Sequence, residues 1–195
     1  MRLRAIPLAA VLALGGCPKA PPEGDGRNPP PLERSYAGDA DGLHAIWADI
    51  LAASQHDERE RVHHLMASFT MTDEDLDAVF GVEQARFLRP RYLSMIATLV
   101  NIGSMELVAR ITERAYDDVE VVPVAERGTD ADRAALRAMH VSGPVFHVRV
   151  KRKGEARGLL YPLFFYRNGH WVTANDLGRY FAPTPDGGVR GDGGH

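Results

Sequence analysis

The sequence predicts an α+β domain in which N-terminal helices precede a curled antiparallel sheet, flanked by a disordered tether and a disordered tail. Three observations carry this expectation. Apolar residues in the first half recur at spacings of three and four, as on one face of a helix. Apolar residues in the second half alternate, as on one face of a strand. Asn168-Gly169 then separates two apolar runs, the pairing that a type I′ hairpin turn requires. Helices followed by strands, without alternation of the two, place the chain in the α+β class.

The elements follow in order. Leu43, Ile46, Trp47, Ile50 and Leu51 form one apolar stripe, with Asp41 as the expected N-cap. Asp57 to Glu60 reads as a capping box opening a second helix, with Val62, Leu65, Met66 and Phe69 inward. Thr72 and Asp75 mark a third N-terminus, closed by Gly81. A longer helix is expected from Pro90, suited to a first turn, to about Tyr116, with Gly103 as a break. Val119 to Val124 is a short β-branched run, and Thr129 to Met139 a small helix within a connection. From Val145 to Arg152, Phe146, Val148 and Val150 alternate with His147, Arg149 and Lys151. Lys153-Gly154 turns the chain into Leu159 to Tyr166, and the hairpin turn leads on to Trp171-Val172-Thr173. Pro162 cannot donate to a ladder, so it implies an edge strand or a bulge.

These elements occupy residues 41–182, enough chain for one core. The 195 residues are 45% apolar and 25% charged, with a net charge of −3 and a single cysteine. That balance excludes a wholly disordered chain, a strongly nucleic-acid-binding one, an intramolecular disulfide framework and a Cys-rich zinc module. No stretch approaches the roughly 20 consecutive apolar residues of a spanning helix. Residues 183–195 are rich in Gly and Pro and are expected to be disordered.

The N-terminus carries the most specific signal. Arg2 and Arg4 precede an apolar run from Ala5 to Leu14, right for a signal h-region and too short to cross a bilayer. The run ends in Leu14-Gly15-Gly16-Cys17, which resembles the lipobox of bacterial lipoproteins. The resemblance implies cleavage by signal peptidase II between Gly16 and Cys17, removal of residues 1–16, and diacylglyceryl modification of the Cys17 thiol. Two or three acyl chains anchor stably where one does not. Pro18 stands where an aspartate would mark inner-membrane retention in enterobacterial lipoproteins, which favours the outer membrane. Residues 17–40 then read as a lipid-anchored tether, with six prolines between Pro18 and Pro31. In polyproline II geometry such a segment reaches roughly 70 Å.

The run Leu160-Tyr161-Pro162-Leu163-Phe164-Phe165-Tyr166-Arg167-Asn168-Gly169-His170-Trp171 resembles the last hairpin of nuclear-transport-factor-two-like domains. That resemblance implies a cone with an interior pocket, a scaffold shared by enzymes, binding modules and assembly platforms, so it does not specify an activity.

Candidate chemistry is sparse. His56, Glu60 and His64 are spaced by four, beside His63, and on one helix face could bind zinc; a solvated helix start with ion pairs explains the same residues. Asp73, Glu74, Asp75 and Asp77 lack the glycine of a calcium loop and suit a helix N-terminus instead. His147, Tyr161, His170, Trp171 and Asp176 fall in the sheet region, where a His/Asp pair could serve acid–base chemistry, although aromatics at strand spacing are more often core. No nucleophile elbow, P-loop or dinucleotide fingerprint is present, so no catalytic residue, cofactor or metal is assigned. Residues 41–140 hold 10 basic and 18 acidic residues, and residues 141–182 hold 7 and 2. Arg149, Lys151, Arg152, Lys153 and Arg157 gather at one hairpin, where they could meet anionic headgroups or cell-wall polymers, or simply acidic helices. The sequence thus predicts a lipid-anchored envelope protein that binds a partner protein or small ligand, not nucleic acid. A pocket enzyme and a metal-binding lipoprotein are the alternatives.

Overall fold

The computed structural model describes residue 32 and residues 34–181, so Gly16, Cys17, most of the tether and the 183–195 tail lie outside the described residues. Helices α1 (Ala40–Gln55), α2 (Arg59–Ala67), α3 (Asp73–Phe80), α4 (Val82–Thr98) and α5 (Ser104–Arg114) come first. Strand β1 (Asp118–Pro123), helices α6 (Val124–Arg127) and α7 (Asp130–Ala138), and strands β2 (Phe146–Lys151), β3 (Gly158–Arg167) and β4 (His170–Thr173) follow. The four strands form one open antiparallel sheet in the order β1-β2-β3-β4. The α+β class is therefore correct.

Most starts and stops obey local chemistry, with three corrections. The N-cap of α1 is Asp39, not Asp41; its carboxylate accepts from the Gly42 amide at 2.8 Å, while Asp41 sits in the first turn. Gly42 is needed because a Cβ there would lie 2.0 Å from the Ala37 carbonyl oxygen. The capping box expected at Asp57 is absent, because Asp57 ends α1. It adopts φ 55°, the Glu58 amide reaches back to the Ala53 carbonyl, and the Asp57 amide reaches the Ser54 carbonyl. These are the two bonds of a Schellman C-terminus. The long helix begins at Val82 rather than Pro90, which is its ninth residue and exposed. The Arg86 carbonyl loses a partner there, but buried Ala85, Leu88, Tyr92 and Ile96 hold the helix on either side.

Gly103 does not break that helix. Leu99–Gly103 forms a π turn continuous with α4 and α5. A π turn inserts extra chain into the helical register, and here it re-phases the buried stripe from Ile96 and Val100 to Ser104, Leu107, Val108 and Ile111. The run Val82–Arg114 is long and apolar enough to cross a membrane by length and composition alone; one face of it, from Ala85 to Ile111, packs within the domain, while Val82, Phe87, Leu93, Ile102 and Met105 are exposed.

The sheet is buried on both faces. On one, α1, α2 and α5 enclose Val119, Phe146, Val148, Val150, Phe164 and Trp171, around the stacked rings of Trp47 and Phe69. On the other, α3, α4, α7 and a 3₁₀ helix (Asn175–Tyr180) enclose Leu163, Phe165, Val172 and Ala174. Pro162 resolves as a bulge in an interior strand. Phe146 pairs with Phe164 but Val148 with Tyr161, so β3 spends one more residue than β2 across this step. Leu163 takes φ 58°, and the carbonyls freed by the bulge are satisfied from the end of β4 and the residue after it: Thr173 Oγ1 donates to Pro162 and the Ala174 amide to Leu163. The Asn168-Gly169 turn forms as expected, with φ 49° and 85°.

One buried carboxylate ties the two halves together. Asp75, with 0% exposure, closes the α3 capping box by accepting from the Thr72 amide and hydroxyl on Oδ2. Its Oδ1 accepts from Arg167 Nε at 3.0 Å and Asn168 Nδ2 at 2.9 Å, at the tip of the β3–β4 hairpin. Removing the carboxylate takes the acceptor from the Thr72 amide and hydroxyl and from Arg167 and Asn168, which water reaches in part. Asp75→Ala is expected to cost roughly 2–3 kcal/mol in urea unfolding, whereas Asp73→Ala, in an exposed ion pair with Arg89, should stay within about 0.5 kcal/mol.

Candidate functional site

The motif Thr-x-x-Asp occurs twice at helix starts, and each time its carboxylate meets a histidine from the sheet. At the start of α7, Asp132 Oδ2 accepts from the Thr129 amide at 2.8 Å and its hydroxyl at 2.7 Å. His147 of β2 brings Nε2 to 3.4 Å from the same oxygen, without hydrogen-bond alignment. At the start of α3, His170 of β4 brings Nε2 to 3.8 Å from Asp75 Oδ2. Both imidazole nitrogens are buried and lack a hydrogen-bond partner.

The electrostatics of His147 follow from this placement. Burial pushes its imidazole below the usual value; Asp132 opposes the shift and Arg149 adds to it. His147 is thus held neutral beneath α7, its residue only 5% exposed.

The His/Asp pair of the alternative enzyme reading does not assemble from His147, His170 and Asp176. His147 belongs to Asp132 and His170 to Asp75, on two different helix starts. Asp176 is exposed on the 3₁₀ helix and lines a separate groove of about 750 Å³ with Pro90, Met95, Leu99, Ile102 and Tyr180. Tyr161 packs on Trp47 with ring centroids 4.6 Å apart, and burial raises its phenol well above the ordinary range. Trp171 donates Nε1–H to the Ala37 carbonyl at 2.9 Å. These aromatics belong to the core.

The alternative metal face does not form either. His56 caps the end of α1, and the turn through Asp57 separates it from Glu60 and His64 on α2. Residues spaced by four share a face only on one continuous helix. His63 Nε2 lies 3.1 Å from Asn101 Oδ1 instead. Among the described residues, no group of three or more potential ligands is arranged to hold a metal ion.

Part of the basic hairpin is neutralised inside the sheet. Glu120 of β1 receives Arg149 at 3.4 Å, Lys151 at 3.1 Å and Arg127 at 3.1 Å. Burial works against the Glu120 carboxylate, but Lys151, Arg127 and Arg149 outweigh it and hold the carboxyl below the usual range. Arg152 and Arg157 of the hairpin face α5. Arg110, Glu113, Arg114 and Tyr116 form one wall, and Arg152, Glu155, Arg157, Gly158 and Leu159 the other, of a cleft of about 590 Å³. The sequence reading missed this cleft because α5 and the β2–β3 turn lie some 40 positions apart. Its only local signal was the basic excess around the hairpin.

No protein-family model, curated protein or solved structure matches this chain.

The His147 environment makes a checkable statement about pH. A histidine whose folded value lies below its unfolded value lets the unfolded chain bind more protons between the two, so stability rises with pH there. Lowering the pH from about 7.5 to 5.5 should therefore lower the urea midpoint, beginning near the ordinary imidazole value of 6.5. His147→Gln should remove part of that slope. An unchanged slope in the variant would refute the assignment to His147.

Proposed function

We propose that this chain is a lipid-anchored bacterial cell-envelope protein whose α+β domain is a binding module, held to a membrane through acyl chains on Cys17. The observation that carries the reading is Leu14-Gly15-Gly16-Cys17 behind Arg2, Arg4 and a ten-residue apolar run. Removal of residues 1–16 leaves Cys17 at the new N-terminus, where diacylglyceryl transfer and N-acylation together supply more than one chain. Pro18 favours the outer membrane as its site.

The domain suits such a mounting. Residues 34–39 lie as a strap across α1 and β4: Arg34 and Tyr36 both reach Asp49 at 2.6 Å, and Trp171 holds the Ala37 carbonyl. A Cβ on Gly38 would lie 2.5 Å from the Tyr166 ring, so the strap is pressed close to the sheet. Load arriving from an anchor would fall on these contacts before it reached the core. The described residues offer open clefts, which supports binding as the domain's task.

Intact-mass measurement and labelled-palmitate incorporation in a bacterial host are expected to show acylation at Cys17. Cys17→Ala should abolish the label and move the protein out of the detergent-extracted membrane fraction. A processed wild-type protein that is soluble and carries no acyl group would end this reading.

A further inference from the structure

Many cations elsewhere in the domain are matched with carboxylates, although Arg86 and Arg137 stand singly on exposed helix surfaces. Arg149, Lys151 and Arg127 converge on Glu120, Arg167 on Asp75, and Arg89 on Asp73 and Asp77. The cleft between α5 and the β2–β3 turn departs from that pattern. Four arginines line it, Arg110 and Arg114 from one wall and Arg152 and Arg157 from the other, against two acidic residues, Glu113 and Glu155. Arg152 contacts Glu155 at 3.6 Å, and Arg110 contacts Glu106, outside the cleft, at 3.5 Å. Exposed pairs at such distances hold their partners weakly. Arg114 and Arg157 form no ion pair among the described residues, and both are exposed.

The walls are fixed relative to one another. Arg152 Nε donates to the Arg114 carbonyl at 2.6 Å, tying the turn to the end of α5. The Lys153 amide donates to Asp117 Oδ1 at 2.7 Å, and the Asp117 amide to the Lys151 carbonyl at 3.1 Å. A ligand would meet guanidinium groups already brought together, without first ordering the loop.

We propose that this cleft binds a phosphate-bearing anion. Guanidinium groups present paired donors that match phosphate oxygens, and several facing one volume accommodate a multiply charged group. At about 590 Å³ the cleft exceeds a lone phosphate and suits one attached to a further polar group, with Tyr116 and Leu159 available to pack against it. A soluble organophosphate and a phospholipid headgroup share this chemistry. The proposal deepens the binding-module reading and rests on it.

The test uses the full chain, purified in nonionic detergent, with inorganic pyrophosphate as the calorimetric probe. Saturable binding is expected, weakened at least about tenfold in Arg114→Gln/Arg157→Gln. The control Arg86→Gln/Arg137→Gln removes the same charge from exposed positions outside the cleft and should bind as the wild type does. Phosphatidylglycerol dispersed in the same micelles is the second arm. Competition with pyrophosphate assigns the cleft to a headgroup, and lack of competition to a soluble phosphate; both uphold it. Absence of saturable pyrophosphate binding, or equal weakening in the control, overturns the proposal. Acylation of Cys17 is read by mass and is indifferent to these variants, so failure of the cleft and failure of the anchor are separable.

Discussion

The fold turns on one extra residue in β3. A regular strand would send Leu159, Tyr161, Leu163 and Phe165 to one face and Phe164 and Tyr166 to the other. The bulge at Pro162-Leu163 changes this assignment midway. Leu159, Tyr161, Phe164 and Tyr166 then share the face covered by α1, and Leu163 and Phe165 share the face covered by α4 and α7. Both clusters need this switch, because each draws large side chains from the same short strand. Proline suits the position, since a bulge leaves a backbone amide without a ladder partner. The cost of Leu163 at positive φ is offset by complete burial of its side chain.

A second device links the helical half to the sheet. Thr72-x-x-Asp75 and Thr129-x-x-Asp132 each satisfy helix-terminal amides with a carboxylate that is then enclosed against the sheet. A capping carboxylate is ordinarily a surface feature worth about 1 kcal/mol. Enclosed, it becomes a constraint: Asp75 must keep Arg167 and Asn168 in place, and so it fixes where α3 meets the hairpin tip. The two sheet histidines, His147 and His170, lie beside these carboxylates in the same arrangement.

Charge is distributed by the same logic. The acidic first half and basic second half meet at Glu120, where three cations settle on one carboxylate, and at Asp75. Matched charges of this kind direct register and packing more than they add stability. Arg114 and Arg157, which form no such pair, gather where the β2–β3 turn faces the end of α5. The anchor proposed for Cys17 would hold that cleft near a membrane surface.

Local chemistry was legible in the sequence wherever a few adjacent residues sufficed. The stripe from Leu43 to Leu51, the Thr72–Asp75 box, the Asn168-Gly169 turn and the choice offered by Pro162 all depend on backbone preferences over one or two turns. The Leu14-to-Cys17 motif, on which the proposed address rests, is equally local. Tertiary structure decided the rest. Asp57 reads as an N-cap in isolation, yet α1 needs its αL residue there to finish. Pro90 reads as a helix start, yet Ala85 and Leu88 are buried before it and extend α4 backwards. His147 finds Asp132 rather than Asp176, and Arg114 finds Arg152, only once sheet and helices have packed. Such pairings depend on distances between segments far apart in the chain, and neither periodicity nor propensity encodes those distances.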